Sequence, residues 1–193
     1  MIKRLIILLF LLFSQPVIFA QVKGLNPLLK WGSWALLQAI PSPSFFEDRN
    51  DTDSRLKFGL EWQVIPFSYS FNTNKYVSPV NFFFMKPSKR FSGSAELFFE
   101  PAYITGSFKY ADLKKFMYKT GARIVLPIAQ KGEYFAISFG AGYYSQKTNA
   151  GKLIDGVTYE GAIYTLFGMV GLKFNYNQNA LSRYNFGLYV KYY

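Results

Sequence analysis

Large apolar side chains alternate with small or polar ones along most of the chain, from residue 56 to its end. In the segment 135–143, for example, Phe, Ile and Tyr recur at every second position or nearly so, with Ala, Ser and Gly between them. A period of two is that of a β-strand with two unlike faces. Strands of this kind need a partner layer or a closed ring to cover one face. We therefore predict an all-β fold.

Eight strand-like segments can be delimited by the turn-forming residues between them. Their predicted bounds are 56–71, 76–85, 91–103, 116–126, 135–143, 157–166, 170–176 and 184–192. In the first segment the alternation changes phase after Pro66, which predicts a bulge or bend. Eight is an even number, as single-chain bacterial barrels have. The prediction is an eight-stranded antiparallel up-and-down transmembrane β-barrel over residues 56–193.

The aromatic content favours a barrel that faces lipid. Aromatic residues make up 20% of the chain, whereas charged residues make up only 17%. A soluble domain of this size cannot hide so much aromatic surface, but a membrane barrel exposes an apolar band with aromatic girdles. A soluble lipocalin-like carrier has the same period. It is disfavoured because its small and charged face would have to point outwards.

Residues 1–20 have the three parts of a secretory signal peptide. Lys3 and Arg4 form a positive start, residues 5–13 are apolar, and Ala20 precedes a plausible cleavage point. The apolar run is too short to cross a bilayer, which needs about 20 such residues. We expect export, cleavage near Ala20, and location in the outer membrane of the cell.

Residues 21–55 lack the alternation and are predicted to form an N-terminal periplasmic segment. Asn26 and Pro27 can start a short helix over 27–40, which Pro41 would stop. An irregular leader or an extra strand is the alternative. The acidic stretch 47–55 is predicted to be a polar linker, because it lacks the glycine and the closing Glu of a calcium loop.

The predicted inward faces of the strands carry charges of both signs. An eight-stranded barrel is just wide enough for side chains to fill it, so these charges should pair with each other. We predict a structural charge network in the barrel interior, made of Lys57, Glu61, Glu96, Glu100, Lys119, Arg123, Glu160, Lys173 and Lys191. A narrow ion path along the same charges is the functional alternative.

The sequence contains no His and no Cys. Their absence removes the commonest general base and the commonest metal ligands. Glu96 and Glu100 are four residues apart on one strand, about 13 Å at the usual rise per residue, which is too far for them to pair directly. We expect no enzymatic activity, no catalytic residues, no cofactor and no metal site.

The formal net charge is +11, of which Lys3 and Arg4 in the signal peptide contribute two. The basic residues are scattered rather than gathered on one face, which argues against a nucleic-acid partner. Loop 104–115 combines Phe108, Tyr110 and Phe116 with three lysines. This mixture suits contact with anionic sugars or lipopolysaccharide; a merely solvated loop is the alternative.

The chain ends within its last predicted strand, at Tyr192 and Tyr193. With the signal peptide and the eight alternating segments, this ending resembles the outer-membrane β-barrel superfamily. The resemblance implies recognition of the final aromatic residue by the barrel-assembly machinery, and a monomer surrounded by outer-membrane lipid and lipopolysaccharide. The predicted function is a structural or surface-interaction role with a filled lumen; the alternative is a small pore or transporter for ions or apolar solutes.

Overall fold

The computed structural model describes residues 32, 39–50, 52–71, 75–77, 93–129, 134–166, 168, 170–178 and 181–190, with the backbone alone at 75–77 and 190. The described chain forms ten strands: β1 (Ser42–Arg49), β2 (Ser54–Glu61), β3 (Val64–Ser70), β4 (Lys75–Val77), β5 (Ser94–Ile104), β6 (Phe116–Ala129), β7 (Phe135–Lys147), β8 (Leu153–Thr165), β9 (Val170–Asn177) and β10 (Tyr184–Val190). Within these ranges, no helix is long and apolar enough to cross a membrane.

The strands close into an eight-stranded antiparallel up-and-down barrel, as the sequence predicts. β2 and β3 act as one barrel strand, because both pair with β5. β5 to β10 then follow in chain order. The ring closes where residues 44–46 of β1 pair with residues 185–187 of β10. β4 pairs with the edge of β3 that does not face β5.

The predicted bulge near Pro66 is confirmed. The register between β3 and β5 shifts between Val64 and Phe67, so Pro66, which has no N–H to donate, lies outside the regular ladder. Between β2 and β3, the backbone N–H of Trp62 still donates to the Pro101 carbonyl at 2.9 Å. The break therefore bends this strand without opening the wall.

The barrel begins earlier than its predicted start at residue 56. β1 covers Ser42–Arg49 and pairs along its whole length with β2. The sequence hides this strand because Glu47 and Asp48 resemble a solvated linker, although both carboxylates are buried and accept backbone N–H groups. The extra strand considered for residues 21–55 is thus present as β1. With β1, the ring has eight strands without the predicted second strand.

The predicted second strand, 76–85, is described only at residues 76 and 77, which belong to β4. Most of the predicted helix 27–40 also lies outside the described residues, and residues 39 and 40 form a turn. The signal peptide and the terminal Tyr192 and Tyr193 lie outside them as well. These predictions stay predictions.

The loops lie at two unlike ends. Turn 50–53 and loops 105–115, 148–152 and 178–183 meet at one end, here called the loop end. The opposite end holds the β6–β7 and β8–β9 connections and the start of β1. It also holds the connection after β3, since Ser70 pairs with Ser94 and Ser94 with Val125.

The outer wall is apolar over a considerable height. None of the outward-facing residues of β5, β6, β9 and β10 is charged. On β6 the outward face runs from Phe116 to Ile128, about 30 Å along the barrel axis at the usual rise and tilt. Large hydrophobic side chains are exposed at 28 described positions, most of them on the strands.

Glycines on the inner wall let the strands and the interior side chains fit. Gly121 and Gly142 face each other across the β6–β7 pair. A Cβ added to Gly142 would lie 2.8 Å from the Gly121 Cα and also against the Thr120 carbonyl. A Cβ on the outward Gly161 would meet nothing within 4 Å. The inner glycines are therefore required by packing.

We expect Gly142→Ala to lower the free energy of unfolding by about 1–3 kcal/mol, because backbone atoms cannot move aside for the methyl group. Urea unfolding followed by tryptophan fluorescence measures the change. The matched control, Gly161→Ala, should stay within about 0.5 kcal/mol of the unmodified chain. Equal destabilisation by both substitutions would contradict the packing argument.

Candidate functional site

Seven charged side chains from five strands meet in the lumen. They are Glu61 on β2, Glu96 and Glu100 on β5, Lys119 and Arg123 on β6, Glu160 on β8, and Lys173 on β9. All seven side chains are buried, with at most 1% of their surface accessible. We call this group the lumen network.

Glu100 is the centre of the lumen network, because it faces all three cations. Its Oε2 lies 2.7 Å from the Lys173 Nζ and 3.3 Å from the Lys119 Nζ. Its Oε1 lies 3.5 Å from Nη1 of Arg123. The side chain of Arg123 continues the network, with Nε 3.0 Å from Glu96 and Nη1 2.9 Å from Glu160.

Glu61 completes the lumen network on the β2 side. It accepts from Lys119 at 3.1 Å and forms an ion pair with Lys173. Lys173 also lies 3.8 Å from Glu160. Every cation thus faces at least two carboxylates, and four carboxylates face three cations. Removing one cation would leave buried negative charge without a partner, which is costly in a medium of low polarity.

The structure brings together seven of the nine residues proposed from the sequence. Lys57 shares their inward direction but lies nearer the loop end, where it interacts electrostatically with Asp48. Lys191 lies outside the described residues. Glu96 and Glu100 each bind cations instead of each other, so they form no acid–base pair.

Apolar layers pack in the lumen as well. Towards the end opposite the loops, the layer consists of Val125, Ala136, Ala162, Tyr164 and Tyr189. Towards the loop end, it consists of Phe46, Ala102, Ile104 and Met117, with Phe108 of loop 105–115 packed against it. The lumen is therefore filled at several levels, as the diameter of an eight-stranded barrel predicts.

Loop 105–115 is fastened to the barrel by the buried carboxylate of Asp48. Lys109 donates its backbone N–H to Oδ2 at 2.7 Å, and Tyr110 and Ala111 donate theirs to Oδ1 at 3.0 Å. Three charge-assisted hydrogen bonds on one carboxylate make a strong anchor. No local sequence pattern indicates this contact, because the partners are 61 to 63 residues apart.

A polar cavity of about 330 Å³ opens at the loop end. Arg49, Asn50, Tyr110, Asp112 and Arg183 are among the residues that line it. Tyr110 and its neighbour Lys109 belong to the loop proposed for sugar contact. Phe108 of the same loop packs towards the lumen, and Phe116 begins β6 on its outward face, so neither lines this cavity.

No group of three or more acidic side chains placed to hold a metal ion occurs among the described residues. No protein-family model matches the chain, and comparisons with curated proteins and with solved structures find no significant match. The fold, the lumen network and the loop-end cavity define the class of protein, which is a closed eight-stranded β-barrel with a charged, side-chain-filled lumen.

We expect Arg123→Met to lower the free energy of unfolding by about 3–5 kcal/mol, because Glu96 and Glu160 lose their main cationic partner in the buried lumen. Urea unfolding measures this loss. The double variant Arg123→Met/Glu96→Gln removes one of the stranded charges and should regain part of the lost stability. A double variant less stable than Arg123→Met alone would show that the lumen network does not act through charge pairing.

We expect Asp48→Ala to loosen loop 105–115, since three backbone N–H groups lose their acceptor. Trypsin should then cut after Lys109, Lys114 or Lys115 roughly tenfold faster, in line with the loss of about 1.4 kcal/mol or more of local stability. Asp112→Ala is the control, because Asp112 accepts only an exposed hydrogen bond from Asn149. Equal cleavage of both variants would contradict the anchoring role of Asp48.

Proposed function

We propose that this chain is a non-enzymatic integral protein of the outer membrane, with a lumen filled by side chains and a surface-interaction role carried by its loop end. One observation carries the proposal: charge is buried inside the barrel, while the outer wall is apolar. Water around the barrel would leave 28 large hydrophobic side chains exposed. Lipid around it removes this cost, because acyl chains match the wall.

The dimensions of the wall support the same proposal. The apolar face of β6 covers about 30 Å along the axis, which is enough for the apolar band of membrane barrels, about 25 Å tall. Aromatic rings cluster on the outward face towards the loop end, with the ring centres of Tyr159 and Tyr176 6.5 Å apart and those of Tyr176 and Tyr184 5.4 Å apart. Such rings suit the level of lipid headgroups.

The charge of the loop end supports contact with an anionic surface. Eight exposed basic residues lie there in the described chain: Arg49, Arg55, Lys109, Lys114, Lys115, Lys147, Lys152 and Arg183. Three exposed acidic residues, Asp53, Asp112 and Asp155, lie in the same region. This excess favours the phosphates and carboxylates of lipopolysaccharide as neighbours, with the loop end on the cell surface.

A small pore or transporter is the other function that the sequence allows. The filled lumen favours the structural role instead, because the lumen network and two apolar layers lie across the axis. The missing histidine and cysteine support a non-enzymatic role. Recording from planar bilayers distinguishes the structural role from the pore. We expect no discrete channel openings, whereas steady unitary currents would favour the pore.

The decisive variant places a charge on the outer wall. Leu172 on β9 is 59% exposed. In a bilayer, Leu172→Arg should cost about 2–4 kcal/mol and reduce the amount of protein recovered in the outer-membrane fraction. In a water-soluble barrel the same change would be harmless or would improve solubility.

Ala150→Arg is the matched control, since Ala150 lies exposed in loop 148–152. It adds the same charge and should leave membrane recovery unchanged. Recovery is measured by fractionation together with the mobility of unheated and heated samples in SDS gels, where a folded barrel stays compact. Recovery of the unmodified chain and of Leu172→Arg in the soluble fraction would overturn the proposal.

A further inference from the structure

We propose that the polar cavity at the loop end binds a sugar that bears a phosphate or a carboxylate group. The cavity lies between the end of β1 and loops 105–115 and 178–183. This inference deepens the proposed surface-interaction role and rests on it only for the side of the membrane that the cavity faces.

Two arginines supply the anion-binding part of the cavity. The planar guanidinium group of arginine binds a carboxylate or a phosphate through two parallel hydrogen bonds. Among the described residues, Arg49 forms an ion pair only with Glu47, at 4.0 Å, and about half of the Arg49 side chain is exposed. Within the described part of the chain, Arg183 has no ion-pair partner. Both groups can therefore turn to a ligand.

The aromatic residue Tyr110 lines the cavity together with Arg49 and Arg183. The guanidinium carbon of Arg55 lies 5.0 Å from the centre of its ring, and the Nζ of Lys109 lies 5.1 Å from it. The Tyr110 hydroxyl also accepts from Arg55 at 3.3 Å. The part of this ring that lines the cavity can contact the C–H groups of a sugar ring.

Asp112 distinguishes a sugar from a simple anion. Asp112 lines the same cavity, and its negative charge disfavours an inorganic phosphate that fills the space. Sugar hydroxyls, in contrast, can donate to it. A volume of about 330 Å³ is at the small end of ligand pockets, which fits one or two sugar rings.

Three residues that line the cavity are held by hydrogen bonds within the chain. Asp48 anchors Tyr110 through its backbone, as described above. Asn50 accepts from the backbone N–H groups of Thr52 and Asp53 at 3.0 and 2.6 Å, which sets turn 50–53. The carbonyl of Arg183 accepts from the Asn177 N–H at 2.8 Å. A preformed site loses less conformational entropy on binding.

The test is calorimetric titration of the full-length folded chain in detergent with four probes: glucose 6-phosphate, glucuronic acid, glucose and inorganic phosphate. We expect the two acidic sugars to bind at least tenfold more tightly than glucose or phosphate, because only they use both the arginines and the ring. Phosphate that binds as tightly as glucose 6-phosphate would overturn the assignment to a sugar. Absence of binding by the folded protein would overturn the site altogether.

Variants locate the binding within the cavity. Arg49→Gln and Arg183→Gln should each weaken the acidic sugars by about tenfold, the usual effect of one charge-assisted contact. Lys152→Gln makes the same change of charge at the same end, outside the cavity, and should change the affinity less than about twofold. Equal losses of affinity from Lys152→Gln and Arg183→Gln would show that only the overall positive charge of the loop end attracts the sugar, and would overturn the site. Unchanged gel mobility of the unheated variants verifies folding.

A last pair of probes identifies the source of the sugar. The phosphorylated core oligosaccharide of lipopolysaccharide represents the membrane of the cell itself, and an oligosaccharide of uronic acids represents other polysaccharides. Tighter binding of either one supports the site and assigns its source. Because binding is measured in detergent, these results stand apart from the recovery of Leu172→Arg in the membrane fraction, so either proposal can fail alone.

Discussion

The pairing of buried charges in the lumen is the constraint on which the rest of the structure depends. Four carboxylates and three cations share a space without bulk water, and each cation faces at least two carboxylates. Glu100 can reach Lys119, Arg123 and Lys173 only when β5, β6 and β9 stand in their observed registers. A slip of one residue would turn these side chains towards the outside. The lumen network thus stabilises one register of a closed ring.

Other features follow from that filling. Long charged side chains need space opposite them, and Gly140 gives it, since a Cβ there would lie 2.8 Å from the Cβ of Arg123. Apolar layers lie on either side of the charges, and Phe108 from loop 105–115 packs against one of them. With the polar groups inside, the outward faces are left to apolar and aromatic residues. The apolar outer wall and the polar lumen thus both follow from the alternation of side chains along each strand.

The loop end combines this rigidity with exposed polar groups. Asp48 is buried in β1, yet it holds the backbone of Tyr110, and Glu47 accepts from the Tyr184 N–H across the β1–β10 closure. The first contact ties loop 105–115 to β1, and the second joins the start of β10 to β1. The side chains of Arg49, Tyr110 and Arg183 are therefore presented by fixed backbone, as a binding surface requires. β1 therefore both closes the barrel and, through Arg49 at its end, lines the cavity.

The sequence by itself determined the all-β fold class, the eight-stranded barrel, the bulge near Pro66 and the inward direction of the seven charges of the lumen network, because a period of two sorts side chains onto two faces whatever the neighbours are. It misplaced the first strand, since the charges of Glu47 and Asp48 indicate solvent unless their distant backbone partners are known. It also could not show which charges pair, or that Lys57 lies near Asp48 rather than in the lumen network. Those contacts, and the cavity between Arg49, Tyr110 and Arg183, arise only when segments far apart in the chain meet. Tertiary structure decided them because hydrogen bonds and ion pairs depend on distances that no local pattern encodes.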